Sequence, residues 1–430
     1  MVADAYAAAF DAVASDPNVP AAVRALRRGA FDRFAALGFP TPKNEDWHYT
    51  SVAPIADQEF ALLSSRTGDI GRDDLAPFTF GATDWHTITF VNGRFAPELS
   101  DLKKLPAGVE ISDLASAWCA SPDIADRLGS VASHESQAFT ALNAAFAQDG
   151  AVLRIARNVE VSRPIHLLFV TDAAAARAMT NPRNLIVVEP NATATVIETY
   201  ASATDSVYFT NAVTEVTVGE GATLRHYKMQ REAPRAFHIG TIEVQQRRDS
   251  HYVSFSLATG GELSRTNVYT TLDGEGSGAT LNGLYMLDSE QHCDHQTQIV
   301  HAQPNTFSRE LYKGILDGRS HGVFNGKVYV RPIAQKTDGK QTNNTLLLSE
   351  TAHVDTKPQL EIFADDVKCT HGATVGQIDQ AALFYLKSRG IANSPARRLL
   401  TYAFAADVLE TIEVDAVREG LERATLERFV

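Results

Sequence analysis

The densest group of side chains that could bind a metal lies in one short stretch of the sequence. His292, Cys293, Asp294 and His295 are consecutive, and His301 follows six positions later. A structural zinc site would need a second pair of Cys or His ligands, and no such pair follows. On a strand, Cys293, His295 and His301 would share one face, and His292 and Asp294 the other. We favour a polar strand whose histidines form hydrogen bonds within the fold, and leave both a structural and a functional role open.

A second candidate is the pair Cys369 and His371, in the run Cys369–Thr374. A thiolate and an imidazole two residues apart on an extended chain point the same way, and they suit zinc, copper or an iron–sulfur unit. Two ligands cannot complete a coordination sphere. Either another subunit completes the site, or Cys369 is a buried cysteine beside a turn histidine.

Other catalytic patterns are missing from the sequence. The glycine-rich segment Gly274–Gly278 lacks the Lys-Ser/Thr of a phosphate-binding loop. No G-x-S-x-G, H-E-x-x-H or dinucleotide fingerprint occurs. We therefore predict that the protein is not an enzyme.

Composition restricts the class of protein further. The chain has 430 residues, of which 44% are hydrophobic and 21% charged, so it is a folded chain with two or three structural regions. The net charge of −13 argues against nucleic acid or a membrane surface as the main partner. Three scattered cysteines, and no secretory signal or long apolar segment, favour a soluble cytoplasmic protein.

The chain divides into three regions by pattern. Residues 1–150 are Ala-rich and mostly helical, with a small hairpin in which Asn92-Gly93 supplies the turn. Residues 151–372 are rich in Val, Ile, Thr, Tyr and Phe in short runs without an amphipathic helix. Residues 373–430 again have apolar side chains at helical spacing. The middle region is therefore predicted to be all-β between two helical regions.

A turn signal repeats through the middle region. It recurs at intervals of about 30 residues, at Asn191–Thr193, Gly221–Thr223, Asp249–Tyr252, Gly278–Thr280 and Asn305–Phe307. A steady interval suits a solenoid of stacked β coils, each burying its apolar face against the next. Ordinary hairpin spacing that happens to align is the alternative.

The segments Leu360–Asp379 and Leu383–Ile391 closely resemble the signature of the SufB/SufD family, which assembles iron–sulfur clusters. The resemblance extends to shorter segments: Pro42–Thr50, Val91–Phe95, His292–His301, Leu311–Leu316, Val323–Lys327, Ala334–Thr337 and Leu346–Ser349. The Cys369–Thr374 run, the length of the chain and the lack of paired cysteines are more similar to the SufD branch than to the SufB branch.

This resemblance implies a mainly β fold, with a right-handed parallel β-helix core flanked by helical N-terminal and C-terminal regions. It implies a non-catalytic scaffold subunit that pairs with SufB through one end of the β-helix, or forms a homodimer in isolation. A transient Fe–S cluster would be shared with SufB, with His371 and Cys369 as candidate ligands, and no cofactor would bind stably to this chain alone.

The resemblance also implies that the ATPase SufC docks on the C-terminal helices. The candidate contact residues there are Phe384, Tyr385, Arg389, Leu399 and Phe404. Two alternatives remain: a β-helix enzyme acting on polysaccharide, and a SufB-like scaffold that works as a homodimer.

Overall fold

Residues that tolerate positive φ angles stand just before successive strands of the middle region. In the computed structural model, which describes residues 2–63, 68 and 70–428, φ lies between 54° and 74° at Asn191, Gly221, Asp249, Gly276 and Asn305. Each of these residues precedes the first residue of a strand by two positions. Asn, Asp and Gly adopt this left-handed conformation at the lowest cost, so the repeated turn signal marks where each coil bends.

The secondary structure follows this repeat. The strands are β1 Ala61–Leu62, β2 His86–Val91, β3 Arg94–Phe95, β4 Val109–Asp113, β5 Ala151–Ile155, β6 Ile165–Thr171, β7 Ala178–Thr180, β8 Arg183–Val188, β9 Thr193–Ser202, β10 Phe209–Val218, β11 Thr223–Arg231, β12 Phe237–Gln246, β13 His251–Ala258, β14 Leu263–Leu272, β15 Gly278–Leu287, β16 His292–His301, β17 Phe307–Leu316, β18 His321–Val330, β19 Asp338–Leu347, β20 His353–Ile362 and β21 Lys368–Gln377. The helices are α1 Val2–Ala14, α2 Ala21–Leu37, α3 Ala53–Ala56, α4 Leu114–Ala120, α5 Pro122–Arg127, α6 Ala138–Phe146, α7 Gln380–Ser388, α8 Asn393–Leu409 and α9 Asp415–Arg428.

Successive strands alternate between two sheets. Sheet 1 has the order β20-β18-β16-β14-β12-β10-β8-β5-β4, and sheet 2 the order β21-β19-β17-β15-β13-β11-β9-β6-β2-β3. From β5 and β6 onward every pair within these orders is parallel, and each strand lies beside the strand of the next coil. The chain therefore forms a parallel β-helix, as the sequence predicted.

Alternate side chains of both sheets point inward and build an apolar core along the axis. One continuous core runs from Ile88 and Leu153 near the first coils to Tyr312 and Phe324 near the last. The sequence runs rich in Val, Ile and Tyr reflect that burial.

The helical regions cover the outer faces of the β-helix. Side chains of α1, α2 and α6 pack with outward residues of sheet 1, among them Phe209 and Phe237. Helices α8 and α9 pack on sheet 2 through Val408, Leu421 and their neighbours. None of the described helices has both the length and the apolar character needed to cross a lipid bilayer.

The strand pairing extends the β-helix beyond the predicted boundaries of 151 and 372. The predicted hairpin at Asn92-Gly93 is present, but β2 also pairs in parallel with β6 and thus belongs to sheet 2. At the other end, β21 continues to Gln377. The ends of the β-helix are set by strand pairing between segments that are distant in sequence, and such pairing cannot be inferred from local composition.

A buried ion pair ties the N-terminal region to sheet 1. Arg183 on β8 donates to Glu215 on β10 at 2.7 Å, and both side chains are inaccessible to solvent. Arg183 also donates to Asn143 on α6, and Glu215 accepts the backbone N–H groups of Val131 and Ala132. The surrounding donors and acceptors satisfy both charges, which is the condition for burying them.

We expect Glu215→Gln to destabilise the protein by about 3–5 kcal/mol, because the Arg183 charge would be left buried without its counter-charge. The matched control is Glu189→Gln, whose partner Arg154 is half exposed, and its cost should stay below about 1 kcal/mol. Urea unfolding followed by circular dichroism compares the two variants. Equal losses of stability would contradict this role for Glu215.

Candidate functional site at the open end of the β-helix

The last strand of sheet 2, β21, has a free edge. It pairs with β19 on one side and with no described strand on the other. Its first residue, Lys368, donates its backbone N–H to the carbonyl of Thr337 at 2.8 Å, toward the body of the β-helix. Backbone groups of successive strand residues point to opposite edges, so those of Cys369, His371 and Ala373 face away from β19. The edge thus presents a row of donors and acceptors that no described strand pairs.

The last strand of sheet 1, β20, also has a free edge, but a proline interrupts it. His353 donates its backbone N–H to Ser320 at 2.9 Å, so the even-numbered residues of β20 face outward from the sheet edge. Pro358 is one of them and has no N–H to offer. Proline at such a position blunts an edge strand. Because β21 contains no proline, its edge is the one suited to pairing.

The side chains of Cys369 and His371 lie on the side of β21 that faces the axis of the β-helix, at the last described coil. Cys369 is half-buried and packs against the cluster that includes Val328 and Ala334, and burial raises the pKa of its thiol. His371 pairs in register with Gln341 of β19 and is exposed, because no described coil covers it. The structure therefore places both residues on one side of the strand, as the spacing predicted.

As a candidate metal site, these two groups would be an incomplete ligand set. Within the part of the chain that the structure describes, no third His, Cys, Asp or Glu joins them in a group that could hold a metal ion. The raised pKa keeps the Cys369 thiol protonated at neutral pH, so a metal or cluster would have to displace that proton. Further ligands must come from outside the described residues if this pair is to hold a cluster.

The inward side chains of β16 are buried inside the β-helix, away from its end. Burial raises the pKa of the Cys293 thiol to about 12 and lowers that of His295 to about 4, so both groups are neutral at neutral pH. His295 lies between the rings of Tyr285 and Tyr312, at centroid distances of 5.5 and 5.2 Å. His301 bonds the hydroxyls of two neighbouring residues. Both ring nitrogens of His295 lack a hydrogen-bond partner among the described residues, so hydrogen bonding within the fold accounts for His301 but not for His295.

The outward side chains of β16 contact the N-terminal segment instead. Thr50 donates its hydroxyl to Asp294 at 2.6 Å and lies 2.9 Å from Nε2 of His292. Arg265 on β14 also donates to Asp294, and its guanidinium lies 3.7 Å from the ring centre of Trp47. The polar segment containing Trp47 and Thr50 is thus held against sheet 1. Nothing in the spacing of the sequence predicted this contact.

A second buried polar group was also not predicted. Glu198, Tyr200, His226 and Lys228 project into the same part of the interior, where they contact one another. Burial alone would raise the pKa of Glu198, but the hydrogen bond and charge of His226 lower it to about 2. Burial lowers the pKa of Lys228 to about 8. The sequence signal for this buried polar group is the pair His226 and Lys228, at alternate, inward positions of β11.

The five residues expected to contact SufC divide into two groups. Phe384, Tyr385 and Leu399 are exposed, with Phe384 at 74% of its full accessible area, and the Arg389 guanidinium lies over the Tyr385 ring at 5.3 Å. Phe404, by contrast, is partly buried and packs with the outer face of sheet 2. Packing is a sufficient explanation for Phe404, whereas α7 presents large apolar side chains to solvent.

Fold and site together define a parallel β-helix protein whose last described strand has a free edge beside a thiol and an imidazole. Comparison with known families is consistent with this class. The SUF system FeS cluster assembly, SufBD core domain family matches residues 169–404, and the SufBD protein N-terminal region matches residues 3–167. The chain belongs to the SufBD family of the SUF system, which confirms the resemblance read from its motifs.

Curated relatives cover most of the chain. The iron-sulfur cluster assembly protein SufD of Escherichia coli is 35% identical over 91% of this chain and 89% of its own length. An iron-sulfur cluster assembly SufBD family protein of Synechocystis is 34% identical over 92% of this chain and 89% of its own length. The Bacillus subtilis SufD is 26% identical over 94% of this chain and 93% of its own length. The similarity to SufD therefore spans both the N-terminal region and the β-helix.

Proposed function

We propose that this chain is a non-catalytic scaffold subunit of an iron–sulfur cluster assembly complex in the cytoplasm. It pairs with SufB through the free edge of β21, and the two chains together hold a transient cluster. SufC, an ATPase, docks on the C-terminal helices. The proposal rests on one observation above all: the edge of β21, which no described strand pairs, carries a thiol and an imidazole that no further described ligand joins.

Edge pairing explains how two incomplete ligand sets would meet. A strand added to β21 would satisfy the backbone groups of Cys369, His371 and Ala373, which now point away from β19. The pattern of side chains on the two strands would fix the register of the added strand. A partner carrying its own thiolates would then place them at a constant position relative to Cys369 and His371.

The C-terminal helices support the second contact. Helix α7 exposes Phe384 and Tyr385 next to each other, and Leu399 on α8 is also exposed. Aromatic side chains that stay exposed on a folded chain favour a protein partner, since they are the residues that most often dominate binding energy. No phosphate-binding loop occurs in the sequence, so nucleotide-driven work requires a separate ATPase chain.

The alternatives make different demands on the same surface. A homodimeric scaffold would use the β21 edge to pair with a second copy, which the chain could also do when SufB is absent. Co-expression with SufB separates the two cases, because heterodimer formation should displace the homodimer. The polysaccharide-acting enzyme has no support from the family to which the chain belongs, and we do not propose it.

The pairing contact can be tested by removing one edge donor. We expect Ala373→Pro to weaken the complex with SufB at least about tenfold, through the lost N–H and the added ring. Ala373→Ser is the matched control, since it changes the side chain but keeps the N–H, and it should bind like the parent. Binding is measured by titration of purified chains, with thermal melting to confirm folding. If Ala373→Pro bound SufB normally, the edge would not be the interface.

The ligand role of His371 has its own test. We expect His371→Ala to lower severalfold the iron and sulfide retained by the complex of this chain with SufB and SufC after anaerobic reconstitution. The complex itself should still form. The exposed His251, at the start of β13, provides the control as His251→Ala. Cys369→Ser should have the smaller effect of the two site variants, because its thiol is half-buried and protonated. Unchanged cluster content in His371→Ala would remove this residue from the ligand set.

The docking of SufC depends on exposed aromatic side chains. We expect Phe384→Ala combined with Tyr385→Ala to weaken SufC binding by about 2 kcal/mol or more, without lowering the melting temperature. Leu37→Ala is the control, because Leu37 is also exposed but lies at the end of α2. Calorimetric titration with SufC gives the comparison. SufC binding that survives the double variant would place the docking surface elsewhere.

A further inference from the structure

A ladder of histidines runs across the outer face of sheet 1 near its free edge. His321 is the first residue of β18, and His353, the first residue of β20, is its direct partner in the parallel register. Asp355 lies two positions after His353 and therefore on the same face of the sheet. Strand pairing thus brings together two imidazoles and a carboxylate that are well separated in sequence.

The three side chains converge on one point. Oδ2 of Asp355 lies 2.8 Å from Nε2 of His321 and 3.4 Å from Nε2 of His353. All three ligand atoms lie within 4.8 Å of one another. Two ligand atoms of a tetrahedral zinc ion lie about 3.3–3.6 Å apart, since each Zn–N or Zn–O bond is about 2.0–2.2 Å long. Small side-chain rotations would therefore place all three atoms on one ion.

The surroundings leave this group available to bind a ligand. Among the described residues, only the two imidazoles lie within ion-pair distance of Asp355, so no lysine or arginine neutralises that carboxylate. The side chains of His321 and Asp355 are 30% and 25% exposed, and His353 is 68% exposed. The next histidine of the ladder, His292, is already bonded to Thr50. Its ring centroid lies 4.7 Å from that of His321, on the side of the group away from β20.

We propose that His321, His353 and Asp355 bind one divalent first-row transition-metal ion, such as Zn²⁺ or Fe²⁺. Two imidazoles and one carboxylate are a ligand set that these ions accept, with the remaining positions open to water or to an external ligand. Within the described part of the chain, this is the one group of three or more potential ligands. The site is separate from Cys369 and His371, which lie on sheet 2, and it does not depend on pairing with SufB.

The test uses the full chain carrying Cys369→Ser and His371→Ala, so that the pair on β21 cannot contribute. Zn²⁺ is titrated in competition with a chromophoric chelator, and Co²⁺ is titrated by visible absorption. We expect one ion per chain, and an affinity about tenfold or more weaker in His321→Gln and in Asp355→Asn. His353→Gln should have the same effect, and it alters a side chain that is mostly exposed, so misfolding is not an explanation.

His251→Gln is the matched control, because His251 holds the equivalent first, outward position of β13 in sheet 2. Its Zn²⁺ affinity should equal that of the parent. Absence of stoichiometric Zn²⁺ binding to the parent would overturn the proposal. Binding that is unchanged in the three ligand variants, or lost equally in His251→Gln, would overturn it as well.

Discussion

The structure depends on hydrogen bonding between successive coils. Each strand of the β-helix obtains its backbone partners only from the coils before and after it, as in any solenoid. The register is continuous over whole strands, for instance over all ten residues of β15 and β17. A coil in the middle is therefore fully satisfied, whereas the last coil is satisfied on one side only. The free edge of β21 follows directly from this constraint and needs no special sequence.

The same register turns single residues into rows. A side chain at a given position in one coil lies beside the side chain at the equivalent position in the next. This arrangement stacks Phe90, Phe169 and Tyr200 inside the β-helix, at centroid distances of 4.7 and 4.8 Å. It also aligns His292, His321 and His353 outside it. Groups of interacting side chains in this fold thus form across neighbouring strands, whereas the sequence shows only the order of residues along each strand.

The sequence was informative wherever the physical signal is local. Positive φ angles such as those at Asn191 and Asp249 favour Asn, Asp and Gly, so the turn repeat and the β-helix could be predicted. Alternation along β16 separated Cys293 and His295 from His292 and Asp294 correctly. The pairing of β2 with β6 was missed, because composition changes little where one distant strand joins a sheet.

The missed parts of the candidate sites have a common cause. The contact between Thr50 and Asp294 joins residues 244 positions apart, and the group around Asp355 forms only once β18 and β20 are aligned. Histidines that lie one coil apart can be recognised as neighbours only if the exact number of residues in each coil is known. The turns between the strands vary in length, so this number cannot be read from the sequence, and the alignment of the histidines is seen only in the structure.

Two groups of potential metal ligands occur at the same end of the β-helix, and their completeness sets them apart. Cys369 and His371 supply a soft thiol and an imidazole on the axial side of β21, with the thiol held in its protonated form by burial. A soft ligand set suits iron–sulfur units, but two ligands leave it dependent on a second chain. His321, His353 and Asp355 supply three harder ligands on the outer face of sheet 1 and require no further protein group. The pair on β21 therefore needs a partner chain to complete a metal site, whereas the group on sheet 1 does not. A partner paired along β21 would complete only the first of the two.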